Sequence, residues 1–420
     1  MTIVLLCLSG SFIYWMPYFS EIYYVPMQRA FGFSNTQIGM LGSTFGLVSL
    51  LSYVPGGWLA DRYPPRLLLS TALATSGIGG FLFAGFPSFE ACLLLHGLWG
   101  ASTSLIFWSA MIKATRNWGG QREQGRAFGF LEGGRSLSDA SFGALLLFLF
   151  AWQGADTGAL SNTIKLKSSA LIVMAVLIWI VMRDPPATQP DTRLTGSEFS
   201  WAKVRLVLKM PLLWLLSLVI LAANWGMWGT IYFTPYATTI YELGDVWGGA
   251  LANGKYYLAA LAAISAGFIA DRIGTAKAVI GLFILTASSF LLFAAVPGAP
   301  GLLPLLLINS VVVVTAIYAL RGIYFALMEQ GNVPIALTGT AVGMVSVIGY
   351  TPDTIAPLVS GLVLDAWPGA AGFQILFLLI GIICLLGLFA SVIIYRKLQA
   401  GNELKICSKS QVTDSADQSK

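Results

Sequence analysis

Residues 125–139 read Gly125-Arg126-Ala127-Phe128-Gly129-Phe130-Leu131-Glu132-Gly133-Gly134-Arg135-Ser136-Leu137-Ser138-Asp139 and run, with no turn signal, into the apolar stretch 140–152. As one helix entering a membrane, the segment carries Glu132, Arg135 and Asp139 progressively deeper into hydrocarbon. A charge at bilayer depth costs roughly 3 kcal/mol on insertion scales, and about 10 kcal/mol or more for an isolated helix in simulations. The spacing softens that cost. Glu132 and Arg135 are three apart and Arg135 and Asp139 four apart, so all three can meet on one helix face. Such a face must look into a bundle interior or a wet cavity, where an ionisable side chain reads as functional.

Composition agrees. Of 420 residues 56% are hydrophobic and only 10% charged, with a mean hydropathy of +0.76. Soluble domains carry about 25% charged residues, so the chain reads as an all-α membrane protein in contact with a lipid bilayer. The net charge of +5 is spread between apolar runs rather than gathered into a patch, which excludes nucleic acid as a partner. Cys7, Cys92, Cys384 and Cys407 are scattered without a CxxC or zinc spacing, and His96 is the single histidine, inside an apolar run. No metal site, cofactor or catalytic residue is expected, and His96 is assigned a packed or hydrogen-bonded structural role. Residues 2–18 lack the basic region and small-residue cleavage site of a signal peptide and read as part of the first membrane helix.

A spanning helix needs about 20 apolar residues. Twelve such runs are present, numbered here as spans 1 to 12: 3–25, 37–60, 67–86, 91–115, 125–151, 167–183, 206–236, 246–270, 277–296, 302–327, 338–364 and 371–396. The polar, proline-rich segment 184–203 separates two sets of six, giving bundles at 1–183 and 204–397, and residues 398–420 form a polar tail expected to be disordered. Basic residues fix the orientation. With both termini cytoplasmic, that side collects the bases at 62–66, 116–126, 183–209, 272–277 and 396–420, leaving Arg29, Lys165 and Lys167 opposite.

The two sets repeat each other. Pro17-Tyr18-x3-Ile22-Tyr23 recurs as Pro235-Tyr236-x3-Ile240-Tyr241, and Gly57-Trp58-Leu59-Ala60-Asp61-Arg62 as Gly267-Phe268-Ile269-Ala270-Asp271-Arg272. Gly125-x-Ala127-x-Gly129 with Asp139 recurs as Gly339-x-Ala341-x-Gly343 with Asp353. Matches in chain order at nearly one offset imply a duplication about an axis along the membrane normal. Spans 3, 6, 9 and 12 carry no ionisable residue between their ends and are expected to face lipid. Embedded charges fall on span 5 (Glu132, Arg135, Asp139), span 8 (Lys255), span 10 (Arg321) and span 11 (Asp353), with Lys113 low in span 4.

The loop sequences GWLADRYPPR (57–66) and GFIADRIGTAK (267–277) resemble the signature loop of the major facilitator superfamily. With twelve spans and the central linker, the resemblance covers essentially the whole chain. It implies two pseudo-symmetric six-helix bundles in a bacterial inner membrane, and loop aspartates that latch the cytoplasmic side. That gating role maps onto Asp61 and Asp271, with Arg62 and Arg272 beside them, Arg126 as a partner for Asp61, and the start of span 11 near Thr338 as a helix terminus. The first loop departs from the pattern, carrying Pro64-Pro65 where a glycine is usual. Tyr24-x-Pro26-Met27-Gln28, the 125–135 segment and Gly349-Tyr350-x-Pro352 are similar to the YihN-type branch of that superfamily.

Depth then separates the embedded charges. At about 1.5 Å per residue, Arg135 lies about 15 Å into span 5 and Lys255 about 13 Å from the outer end of span 8. Arg321 is some two turns from the end of span 10, while Lys113 can snorkel to the interface. Arg135, Lys255 and Arg321 are candidate cations for a substrate anion, and a structural pair with Glu132 or Asp139 is the alternative for Arg135. Lys255 has no acid one turn away, so it awaits an anion or a carboxylate from another helix. Trp225, Trp228 and Tyr232 share a stripe of span 7. With Tyr18 and Asn224 they would line a cavity, or else serve packing. Asp353, Asp139 and Glu132 are candidate proton sites, and Asp353, beside Pro352, could instead hydrogen-bond locally at a bend. The sequence thus reads as a monomeric secondary transporter working by alternating access on a small organic anion such as a sugar acid, a sugar phosphate or sulfonate, or a carboxylate. Proton symport is the expected drive. A neutral sugar, an amphiphilic drug, or a transporter-like sensor are the alternatives.

Overall fold

The computed structural model describes residues 1–119, 124–183, 205–206, 208–330 and 338–417. The linker 184–203 lies outside them, as do the side chains of Asp61 and Arg126. The described residues fold into helices joined by short turns, the arrangement hydrocarbon imposes because every backbone N–H and C=O must be bonded within the chain. Nine helices among the described residues are long and apolar enough to cross a bilayer. Asn35–Arg62 and Asp245–Ile273, and the pair Thr2–Phe12 and Phe19–Phe31, fall where spans 2, 8 and 1 were placed.

Helix starts follow from local chemistry. Ser34 and Gln37 form a capping box at the head of Asn35–Arg62. Asp156 accepts from the Ala159 amide (2.7 Å) to open Thr157–Val181. Pro65, Pro211 and Pro352 stand in the first turn of their helices, where a missing N–H is harmless.

Three spans expected to be continuous are broken, each at a proline. Span 1 divides into Thr2–Phe12 and Phe19–Phe31 around Pro17, and span 7 into Pro211–Ile231 and Phe233–Thr239 ahead of Pro235. Span 11 divides into Thr338–Gly349 and Pro352–Ala366. In the last case Pro352 cannot bond the carbonyl of Ile348, and the Thr351 hydroxyl takes its place at 2.7 Å. Span 4 carries a π-helical stretch, Ala101–Trp108. Helix Ala370–Asp417 continues past the apolar run of span 12.

Span 6 is corrected. It runs Thr157–Val181 rather than 167–183, and Lys167 is buried within it at 4% exposure instead of standing on the outer surface. Its ammonium lies over the rings of Phe19 (5.0 Å), Tyr23 (5.1 Å) and Trp15 (5.8 Å). The aromatic faces supply the partial negative charge that lets an ammonium sit there. Lys113 Nζ donates to the Ala60 carbonyl, near the end of Asn35–Arg62, at 2.6 Å.

The two halves meet closely where glycines remove side chains. A Cβ on Gly39 would lie 2.2 Å from the Pro357 carbonyl oxygen, and one on Gly46 2.2 Å from that of Asp353. Spans 2 and 11 therefore touch backbone to backbone, the small-residue packing that substitutes for hydrophobic drive in lipid.

Candidate functional site

The repeat seen in sequence reappears as paired chemistry. On one side of the axis the Trp15 indole N–H donates to Asp139 (3.2 Å), joined there by the Ser11 hydroxyl. On the other the Trp228 indole donates to Asp353 at 2.8 Å. In each half a tryptophan from the broken first helix of the repeat thus holds a carboxylate from the fifth. Asp353 also stands in the first turn of Pro352–Ala366, where the exposed amides favour negative charge.

The span 7 stripe is braced against span 11. Asn224 donates to the Gly349 carbonyl (2.9 Å), Trp228 to Asp353, and Tyr232 to the Pro357 carbonyl (3.2 Å). Three donors four residues apart meet three acceptors four residues apart, spanning the break in span 11. Asn224, Trp225, Trp228 and Tyr232 are all buried. The bend at Asp353 is thus braced by another helix as well as by local bonds, the Asp353 amide donating to the Tyr350 carbonyl at 3.1 Å.

The span 5 triad divides. Arg135 pairs with Glu132 (2.9 Å), whose side chain is 62% exposed, and its Nε donates to the Gly10 carbonyl (3.0 Å), while Asp139 turns to span 1. The Arg135 guanidinium also lies 5.5 Å from the ring centres of Tyr14 and Trp108.

Arg321 differs from the other embedded bases. It donates to Asn224 Oδ1, and among the described residues it has no carboxylate as an ion-pair partner. Tyr318, Tyr324, Tyr350 and Asp353 surround it within electrostatic reach, and the Tyr324 and Tyr350 hydroxyls bond each other at 3.1 Å. Tyr18, stacked on Trp228 at 5.9 Å, reaches the same region from the first half, as does Tyr53 toward Arg135 and Asp353. The charge of Arg321 also acts on Lys255.

Lys255 has found its inter-helix carboxylate. It pairs with Glu21 of span 1, and both side chains are only 5% exposed. Glu21 also accepts from the Tyr256 hydroxyl (3.0 Å), and its carbonyl from Thr234 (2.9 Å). Sequence reasoning did not single out Glu21. The available signal was that spans 1 to 4 contain no other acid, so it was the one carboxylate there able to answer the lone Lys255.

Other contacts close the same face, at the end where Phe19–Phe31 finishes and Asp245–Ile273 begins. Arg29 pairs with Asp245, and Asp365 accepts from the amides of Asn35 (3.0 Å) and Thr36 (2.7 Å) and from Asn35 Nδ2 (2.8 Å). Asn253 donates to the Ala140 carbonyl (3.0 Å), and the Leu358 amide to Ser43 (3.1 Å). Among the described residues every hydrogen bond and ion pair joining the halves falls on this face or at mid-height.

Of the loop residues, Arg62 lies over the Trp58 ring at 3.9 Å, and Asp271 and Arg272 are exposed at the end of Asp245–Ile273. The Asp61–Arg126 latch falls outside the described side chains. His96 bonds the Cys92 carbonyl at 2.8 Å inside its bundle. Among the described residues no three His, Cys, Asp or Glu side chains gather to hold a metal ion. A hollow of about 850 Å³ beside Val48, Leu93 and Leu94 lies on a flank of the first bundle and contains none of the central charges.

A sequence model of the Major Facilitator Superfamily matches residues 4–352. The chain belongs to the major facilitator superfamily. It is a membrane transporter, not an enzyme. It is 28% identical over 397 residues to the inner membrane protein YqcE of Escherichia coli K12, with 90% of each chain covered. To the inner membrane protein YihN of the same organism it is 25% identical over 398 residues, with 94% of each covered, in keeping with the branch read from its motifs. The probable nitrate/nitrite transporter NarK2 of Mycobacterium tuberculosis is 26% identical over 344 residues, covering 80% of this chain and 82% of that one. Among solved structures, an inward-facing, unoccupied bacterial homologue of the human lysosomal transporter Spinster superposes with a TM-score of 0.79 at 14% identity, covering 95% and 97% of the two chains. This likeness shows the shared fold.

Proposed function

We propose that this superfamily member is a secondary transporter that carries a small organic anion across a bacterial inner membrane by alternating access, coupled to protons. The observation that carries the reading is Arg321: a guanidinium inside the bundle, ringed by tyrosines and without an ion-pair carboxylate among the described residues. A substrate anion would supply the missing partner. The tyrosine hydroxyls and Tyr18–Trp228 stack supply hydrogen bonds and flat apolar contact for the body of the substrate. Relatives named for anion transport support the charge of the cargo. With the termini and linker on the cytoplasmic side, the face closed by these contacts is the outer one. Asp353 and Asp139, each held by one tryptophan at a helix break, are the proton-carrying candidates beside that path.

Proteoliposomes containing the full chain test this with labelled gluconate, glucose 6-phosphate, glycerol 3-phosphate and nitrate under an imposed pH gradient. At least one accumulates, and Arg321→Gln abolishes that accumulation while leaving the protein folded. Accumulation of none, or uptake unchanged in Arg321→Gln, overturns the reading. A sensor would bind a ligand in a thermal-shift measurement and accumulate nothing.

A further inference from the structure

Asp139 and Asp353 occupy matching places in the two halves and each accepts from an indole, yet their surroundings differ. Asp353 stands in the first turn of Pro352–Ala366, within electrostatic reach of Arg321, which has no ion-pair carboxylate among the described residues. A helix start and an unanswered guanidinium both favour the ionised form. The Trp228 indole can only donate, so it offers no acceptor to a carboxylic acid. Asp139 lies deep inside Gln124–Trp152, where no helix end acts on it. Its partners are the Trp15 indole (3.2 Å) and the Ser11 hydroxyl, and a hydroxyl can donate to a carboxylate or accept from a carboxylic acid.

Two cations lie within electrostatic reach of Asp139: Arg135 of the same helix and Lys167 of span 6. Arg135 is committed to Glu132 (2.9 Å) and to the Gly10 carbonyl (3.0 Å). Lys167 is 4% exposed, and among the described residues it has no carboxylate at ion-pair distance. The second half faces Asp139 with Tyr256 of span 8 and Tyr318 of span 10. One side chain links the acid to the base. Trp15 gives its N–H to Asp139 and its ring to the Lys167 ammonium, 5.8 Å away, from the break between Thr2–Phe12 and Phe19–Phe31. Phe19 (5.0 Å) and Tyr23 (5.1 Å) complete the seat. The ammonium is thus near enough to favour an ionised Asp139, yet rests on ring faces when that carboxyl is neutral.

We propose that Asp139 rather than Asp353 takes up and returns the transported proton, and that Lys167 is its positioning residue, a cation seated on Trp15 that sets how tightly Asp139 holds that proton. This rests on the proton-coupled reading above and deepens it by choosing between its two carboxylates. The balance is simple. One proton from the bulk joins the Asp139 carboxylate, the resulting acid is bonded to Ser11, and the same proton leaves to the bulk on the other side. Lys167 keeps its own proton throughout. Ser11, Trp15, Arg135 and Lys167 all belong to the first half, so neither step makes or breaks a bond between the halves, and the empty carrier is free to return.

Full-length protein in nanodiscs, without substrate, tests this by infrared difference spectra recorded as the pH falls from about 8 to about 4. The signal is the carbonyl stretch of a carboxylic acid, in protein whose aspartates carry carbon-13 at the carboxyl so that they separate from the glutamates. Asp139→Asn removes one labelled component, and Asp353→Asn leaves that component in place. Lys167→Gln raises its midpoint by about one pH unit, a tenfold tighter hold on the proton, because the lost ammonium had favoured the ionised form. Lys167→Arg keeps a charge on the ring faces and brings the midpoint back. The two Lys167 variants leave Asp139 untouched, so they carry the test even if Asp139→Asn does not fold. A purely structural Lys167 would alter thermal unfolding in the Gln variant and leave every aspartate midpoint where it was; that result overturns the proposal. So does a titrating component that survives Asp139→Asn and is lost in Asp353→Asn. If proteoliposomes accumulate none of the test anions while the band behaves as described, the transport reading falls and the titrating pair stands; accumulation with unmoved midpoints gives the reverse.

Discussion

Gly39→Ala and Gly46→Ala each place one methyl group against backbone, which cannot swing aside. The added carbon would lie 2.2 Å from the Pro357 oxygen in the first case and 2.2 Å from the Asp353 oxygen in the second. A carbon and an oxygen settle at about 3.3 Å or more, so spans 2 and 11 must part by about 1 Å at either position. Forcing a methyl into a close-packed contact costs about 1–3 kcal/mol. That cost is confined to the state in which the two helices touch. In the opened state the contact does not exist, so the whole penalty appears as a shift between states, about 5- to 150-fold for either substitution. Gly57→Ala is the internal control, because a carbon added there meets nothing within 4 Å. The assay is the distance between spin labels at Glu90→Cys and Ala299→Cys, one on each half, with thermal unfolding measured alongside. The expected result is a longer-distance population in Gly39→Ala and Gly46→Ala and an unchanged distribution in Gly57→Ala. Wild-type distributions in all three refute the idea that backbone contact between spans 2 and 11 limits opening.

Further outcomes follow from other contacts. Asp365→Ala removes three acceptor contacts at the head of span 2 and should shift the same labels toward opening by about 1–2 kcal/mol, whereas Arg29→Ala, at an exposed pair, should change the balance by less than about 1 kcal/mol. Trp228→Phe keeps the ring and deletes the N–H to Asp353, costing about 1–3 kcal/mol in thermal or denaturant unfolding; an unchanged midpoint would mean that the carboxylate has another donor. Lys167→Met fills the aromatic cage without a charge to desolvate and should leave the unfolding midpoint equal or higher, whereas a marked drop would show that ring faces alone stabilise the ammonium. If one monoanion is carried with one proton, uptake driven by a pH gradient should be indifferent to a potassium-diffusion potential, and potential-driven uptake at equal pH would contradict that ratio.

The sequence made the fold legible wherever an apolar run was unbroken. Spans 5 and 9, read as 125–151 and 277–296, are Gln124–Trp152 and Thr275–Ala295. It misjudged span 6 by ten residues at one end, because Lys165 and Lys167 interrupt the apolar count and nothing in a linear reading shows that Phe19, Tyr23 and Trp15 wrap the second of them. Pro17, Pro235 and Pro352 were visible, yet which carbonyls they free depends on the neighbouring helix. For the site, Asp139 and Asp353 were found through the repeat, but their tryptophan donors needed three dimensions. Arg321 and Lys255 looked alike in sequence; only the structure shows that Lys255 has a carboxylate partner and that Arg321 has none among the described residues.

The three rungs from Asn224, Trp228 and Tyr232 to Gly349, Asp353 and Pro357 have a mechanical consequence. Two rods tied at three evenly spaced points can neither slide nor roll against one another without breaking every tie at once. Spans 7 and 11 therefore behave as a single stiff beam, interrupted in both members yet splinted across the fracture, and any motion of the second half must be taken up at the joints where that beam meets its neighbours.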